Sequence, residues 1–311
     1  RGLGDVYKRQ LYHSKSLFAK VGNKEHFPVE FEGGIQMSAQ FGGDQYIAGQ
    51  KEPVIDMPTR FVDFMRVLVP MAGDDTTPEG EQVNIYGNHV GSWNFAATAY
   101  LNQWKVKIYY EHYFDDHSQM FFQYGRWKDG HIGLEITFPK NRFIDTFVYE
   151  GLGTKDQTGP MLYDSFWGEF EEQISAKDNY YNHYLYQGWQ HWGMGIGNPL
   201  LPGPIYNKNG QITFISNRVL AHHIGFCGSP CQSLSYRMLL SYSRHWGTYD
   251  NPLNEIKKQF NSLFEVTYAP QQLKGWSFTV SGAMDRGSML GNNYGGMLVI
   301  RKQGIIKSGN K

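Results

Sequence analysis

Residues able to do chemistry gather at a few points along the chain. His222 and His223 are adjacent, and His112, Asp115, Asp116 and His117 crowd one short stretch whose carboxylate oxygens could gather a divalent cation. Ser216, Asn217 and His222 include the residue types of a nucleophilic hydrolase, which also requires a base within reach of its nucleophile. Acid pairs for glycoside hydrolysis stay open too, since they depend on a separation that a sequence does not display. Gly193, Gly195 and Gly197 have neither the spacing nor the strand-to-helix setting of a dinucleotide loop. Cys227 and Cys231, in CGSPC, are spaced for a disulfide across a tight turn in an oxidising compartment, or stand as two unpaired thiols. No second Cys or His pair at finger spacing accompanies them, so no zinc site is expected.

The densest cluster is aromatic: Tyr180, Tyr181, Asn182, His183 and Tyr184, followed by Trp189, His191 and Trp192. Sugar rings stack their C–H faces on aromatic rings, while Asn, Arg and His hydrogen-bond the hydroxyls. The residue types therefore fit a glycan site. They fit equally well an aromatic plug packed inside its own loop.

The elements that must position these residues are strands. From Phe27 to Phe41 the apolar side chains Phe27, Val29, Phe31, Ile35, Met37, Ala39 and Phe41 all fall on odd positions, with Glu30, Glu32, Gln36, Ser38 and Gln40 between them. A period of two is a strand, and this one outruns the five or six residues common in soluble domains. Its length suits a tilted strand crossing a bilayer, apolar outward and polar inward. The same alternation predicts a hairpin, with Trp104, Val106, Ile108 and Tyr110 facing lipid and Lys105, Lys107 and Glu111 facing a lumen. Further strands are expected near 132–138, 143–150, 212–226, 232–245, 262–268, 275–285 and 294–302, about ten in all, with a short helix within 61–71. Adjacent residues on a strand point to opposite faces, so His222 and His223 do not read as one metal pair.

The connections sort by length. Those at 42–82, 114–130, 151–211 and 246–261 fall on one side, and the short turns at 102–103, 139–142, 227–231 and 270–274 on the other, the asymmetry of outer-membrane barrels. A soluble β-sandwich is the alternative, and it needs neither long strands nor sorted loops. With 19% charged and 16% aromatic residues, and 29 basic residues balancing 29 acidic ones, the chain lacks the electrostatic footprint of a nucleic-acid binder. A mean hydropathy of −0.50 does not argue against a barrel, because alternate residues face a polar lumen. Residues 1–10, RGLGDVYKRQ, read as translated adapter sequence and are set aside, leaving 11–311 as the C-terminal portion of a single barrel domain.

Taken together, TKDQTGP (154–160), NYYNHYLYQGW (179–189), GIGNPL (195–200) and SNRVLAHHIGF (216–226) resemble the capsule assembly Wzi family, over roughly Lys24 to Arg301. The resemblance implies an antiparallel outer-membrane β-barrel, non-enzymatic and without a cofactor, that binds capsular polysaccharide at the surface of a Gram-negative cell. Its partners would be that polysaccharide and outer-membrane lipids, and it would act as a monomeric barrel. Family members are longer, with roughly eighteen strands, so strands are expected to be missing here and the sheet edges at Phe27–Phe41 and Tyr294–Lys302 to be unpaired. The ending IIKSGNK lacks the terminal aromatic common in such barrels. The family motifs fix no sugar contacts, so residue chemistry selects Tyr181, Trp189 and Trp192 as stacking platforms and Asn182, His191 and Arg244 as hydrogen-bonding partners. A diffusion channel and an outer-membrane hydrolase remain as rival readings.

Overall fold

A computed structural model describes residues 7–23, 25–46, 51–115, 117–124, 128–141, 143–163, 165, 168 and 170–304. Eleven strands form one antiparallel sheet in which each strand pairs with its neighbours in sequence. They are β1 (Leu11–Val21), β2 (Val29–Phe41), β3 (Asn88–Leu101), β4 (Trp104–Phe114), β5 (Gly130–Thr137) and β6 (Thr146–Gly153). After a long connection come β7 (Val219–Cys231), β8 (Leu234–Gly247), β9 (Pro252–Tyr268), β10 (Trp276–Gly287) and β11 (Asn293–Lys302). The fold is thus all-β and antiparallel, of the outer-membrane-barrel type. Among the described residues β1 and β11 are its two open edges.

The register shows why this sequence makes a two-faced wall. Partners across an antiparallel ladder point the same way, so a row can be followed from strand to strand. One row runs Phe31, Ala97, Ile108, Leu134, Tyr149, Ile224 and Leu240. The neighbouring row, on the opposite face, runs Glu32, Ala96, Tyr109, Gly133, Glu150, His223, Ser241, Asn261 and Asp285. Ile108 is 54% exposed although it lies mid-strand, as a side chain meant for lipid should be in a bare chain. A Lys or Arg at such a position costs about 2–4 kcal/mol at a bilayer midplane, and this apolar row contains none. Lys105, Lys107 and Glu111 lie on the polar face, as the alternation predicts, with Lys105 paired to Glu135 at 3.4 Å. Gly133 leaves room on that face for the Tyr109 ring, whose hydroxyl hydrogen-bonds Glu150.

Five sequence expectations are corrected or settled by the structure. The edge at Phe27–Phe41 is covered by β1, which pairs with β2 from Leu11↔Phe41 to Val21↔Phe31. Strand β9 begins at Pro252, so the supposed long connection at 246–261 is a tight turn over 248–251. The supposed turn at 227–231 belongs to β7, where the register shifts between Gly228 and Cys231, and the actual turn is Gln232–Ser233. Of the two readings left open for Cys227 and Cys231, the structure has the two free thiols and not the disulfide. Residues 7–10 do contact the fold: Tyr7–Lys8 pairs with Asp44 and Gln45, and the Arg9 side chain bonds Asp44 at 2.6 Å.

The sorting by length holds in part, since the tight turns 248–251 and 288–292 share an end with the long connections. The long ones, 42–87, 115–129 and 154–218, lie at one end, and the turns 22–28, 102–103, 138–145, 232–233 and 269–275 at the other. Within 42–87, helix α1 (Phe61–Leu68) meets the apolar face, where Lys15 of β1 donates to the Val67 and Leu68 carbonyls at 2.6 Å each and caps the helix C-terminus. A second short helix, α2 (Glu79–Val83), follows.

Candidate functional site

The connection 154–218 folds onto the polar face of the sheet. Its neck is closed by hydrogen bonds that its polar sequence supplies locally. Thr154 Oγ1 donates to Asn217 O at 2.6 Å, Gln157 Nε2 donates to the same carbonyl at 3.0 Å, and Asn217 Nδ2 reaches Tyr180 O at 2.8 Å. Asp129, at the start of β5, accepts from the backbone N–H groups of Asp156 and Gln157 at 2.9 and 2.5 Å and from the Tyr180 hydroxyl at 3.2 Å. Burial pushes the Asp129 carboxyl up to about 6, the donors only partly offsetting it.

Within the loop, Tyr181, Trp189, Leu201 and Phe214 pack against Leu152, Val219 and Ala221 of the wall. Tyr181 takes a left-handed backbone, φ 70°, and meets Phe214 edge to face at 5.2 Å. Gly188 passes so close to Tyr181 that a Cβ there would lie 2.2 Å from its carbonyl oxygen, which explains the glycine in YQGW. Gly197 likewise leaves space for the Tyr181 hydroxyl, which accepts from Asn198 N–H at 2.9 Å, so this glycine serves packing and not a phosphate. Gln40 of β2 ties wall to loop by donating to Gly188 O at 2.7 Å, and it accepts from Asn88 at 2.8 Å.

The six residues selected from the sequence do not converge. Tyr181 and Trp189 are 9% and 5% exposed and form the loop's own core. Asn182 is engaged with the Phe214 backbone through both its amide oxygen and nitrogen, at 2.8 and 2.9 Å. His191 and Trp192 stand out on a hairpin, Gln190–His191 against Met194–Gly195, with Trp192 77% exposed. Arg244 lies on the opposite, apolar face, since its neighbours Ser243 and His245 take the loop-covered side. Parity along β8 was the available signal for that.

Other candidates also separate. His222 bonds the Tyr149 hydroxyl at 2.8 Å on the apolar face, His223 bonds Ser241 at 2.7 Å on the polar one, and Ser216 is wholly buried, accepting from Gly247 N–H at 3.3 Å. In the 112–117 stretch, His112 is buried and stacks on Phe122 at 4.3 Å, while Asp116 lies outside the described residues. Among the described residues no group of His, Cys, Asp or Glu is placed to hold a metal, and no helix is long and apolar enough to cross a membrane.

What sequence reasoning missed is two spaces around the loop. A cavity of about 540 Å³ lies between Tyr180 and Tyr181 of the loop and the wall residues Ser16, Gln36, Ser92, Glu111 and His131. A second cleft, about 830 Å³, opens among the connections and is lined by Asn84, Asn179, Asn182, Tyr184, Thr213 and Asn251. At its edge Glu81 of α2 accepts from Gly87 N–H at 2.6 Å and from the Tyr184 hydroxyl at 3.2 Å. Burial pushes Glu81 up to about 7 and His183 down to about 3. His183 Nδ1 accepts from Leu185 N–H, so its Nε2, 3.7 Å from Glu81, carries the proton of a neutral ring.

The fold and its two faces define the wall of a membrane β-barrel. No family model and no curated protein matches the sequence. Among solved structures, a double variant of OccD1 (OprD) aligns over 88% of this chain with 10% identity and a TM-score of 0.37, and the chain spans 65% of that protein. A structure from a study of in-meso crystallisation of membrane proteins aligns over 94% of this chain and 83% of its own, with 10% identity and a TM-score of 0.26.

Proposed function

We propose that the chain is wall and plug of an outer-membrane barrel that passes small polar solutes, its lumen narrowed by the inward-folded connection 154–218. The observation that carries this reading is the cavity of about 540 Å³ between the connection and the polar wall row, bounded by hydroxyl, amide and ionisable groups. The two open edges are joined by strands outside this chain, giving a monomeric barrel. The test is conductance of the full-length protein in planar bilayers. Discrete steps that shrink in Ser92→Trp and grow on shortening 160–212 support a channel; no steps in any of the three refute it.

A second reading is retention of capsular polysaccharide at the long-connection end, as the Wzi resemblance implies. It is favoured by the amide-lined cleft of about 830 Å³, which holds Asn182, and by the exposed Trp192. Surface-retained capsule in cells carrying Trp192→Ala or Asn84→Ala, with barrel assembly scored by heat-modifiable gel mobility, tests it. Full retention with normal assembly would remove this reading.

A further inference from the structure

The apolar face breaks its own rule at one place. On the row Gly153, Leu220, Arg244 and Lys258, two cations are direct cross-strand partners and both are exposed. Like charges directly opposite repel, so a pair kept on a lipid-type face needs a counter-charge. Further toward the long-connection end, Arg218 donates its N–H to Gly247 O and accepts from Trp246 N–H, at 3.1 and 3.0 Å. The Trp246 ring then has the Arg244 guanidinium at 5.4 Å and the Lys155 ammonium at 4.9 Å, while Arg218 lies 3.8 Å over Tyr249. Arg218 Nε also donates to Lys155 O at 3.0 Å.

Among the described residues none of Lys155, Arg218, Arg244 and Lys258 enters an ion pair. The nearby Asp156 and Asp250 are bound to Lys128 and Lys177, and Glu255 is exposed on β9. Two rows further from the long-connection end the face is apolar again, with Ile224 and Leu240 paired, then Met238 and Phe264. Cations and Trp therefore sit at one end of an apolar band, where a bilayer has its headgroups.

We propose that Arg244 and Lys258, with Arg218 and Lys155 around Trp246, bind the phosphate of a phosphorylated lipid in the leaflet at the long-connection end. The site rests on the membrane-wall reading above. A phosphate monoester bridges Arg244 and Lys258 with charge-assisted hydrogen bonds, converting their repulsion into attraction. The acyl chains of the same molecule lie along Ile224, Leu240 and Phe264. That continuity of charge and apolar surface selects a lipid over a free anion.

The experiment uses the full-length protein in neutral phosphatidylcholine nanodiscs doped with lipid A, with occupancy read by native mass spectrometry. Arg244→Gln/Lys258→Gln is expected to lower occupancy at least tenfold, with Lys208→Gln, on an exposed loop, as the matched charge control showing no change. Equal occupancy in the double variant and wild type overturns the site, as does full displacement by millimolar inorganic phosphate, which assigns it to a soluble anion. Failure of wild type to enter the nanodiscs with a heat-modifiable gel band overturns the wall reading and the site together. Gel mobility thus separates the two failures.

Discussion

Two connections at the same end of the sheet are organised around buried carboxyls in opposite electrostatic settings. The inner one, 154–218, is anchored on Asp129, whose partners are backbone N–H groups and the Tyr180 hydroxyl, all neutral. The outer one, 42–87, is braced within itself by Asp63 of α1, wholly buried between Arg60 and Arg66 at 2.9 Å each, with Asp74 bound to both arginines. Burial acts to raise the Asp63 carboxyl, but hydrogen bonds and charge from Arg60, with the charge of Arg66, outweigh it and hold the group below its usual range. Neutral donors leave Asp129 at about 6. Two solvent-shielded carboxyls thus respond to acid with opposite signs, one set among cations and the other more deeply enclosed among neutral donors.

The comparison can be broken at its packing first. Trp189→Ala empties an aromatic site beneath the inner connection and should cost about 4 kcal/mol of its docking, read as lost amide-exchange protection across 176–201 with 42–87 unchanged. Equal loss in both connections would show that they open as one unit. Asp63→Asn removes the buried one of the two carboxylates that Arg60 and Arg66 share and should destabilise the outer connection by about 3 kcal/mol, measured by the same exchange. Salt should weaken that contact and leave the inner one unaltered.

Acid response should sharpen the contrast. For Asp129 the folded value is raised, so its contribution to inner docking is fully present below the ordinary carboxylate value and is lost as pH rises through about 6. The span of about two pKa units corresponds to roughly 3 kcal/mol at most, and Asp129→Asn should flatten the profile up to about pH 6 while leaving any step from Glu81 near 7. For Asp63 the folded value is lowered, so its contribution is present above the ordinary value and is lost only as pH falls through the lower one. Exchange protection followed from pH 4 to 8 should therefore decline for 154–218 and hold for 60–74. Smallest of all, Trp192→Ala on the exposed hairpin should change docking by no more than ~0.5 kcal/mol, by thermal melting, although the ring is as large as that of Trp189.

Much of the wall was legible because a half-lipid, half-lumen strand writes its two faces in alternate letters. β2, β4 and β11 could be read that way from Phe31, Ile108 and Ile300. β1 escaped because Lys15 stands on its apolar side, where it caps α1, and Phe18 stands on its polar side. The first half of β9 escaped because Glu255, Lys257 and Lys258 interrupt the alternation. The loop site was only half legible. Composition found the aromatic cluster, but whether a ring faces solvent or core depends on backbone turns such as the left-handed Tyr181, which composition does not encode.

Glu81 gives the two connections a common trigger. It belongs to the outer one, yet it accepts from Tyr184 of the inner one, and burial pushes its carboxyl up to about 7. A charge there has the Gly87 N–H and the Tyr184 hydroxyl as donors but no cation, so ionisation weakens the contact between the two segments. Protection at the Glu81–Tyr184 contact is therefore expected to fall as pH rises through about 7, read by amide exchange at 79–87 and 180–186.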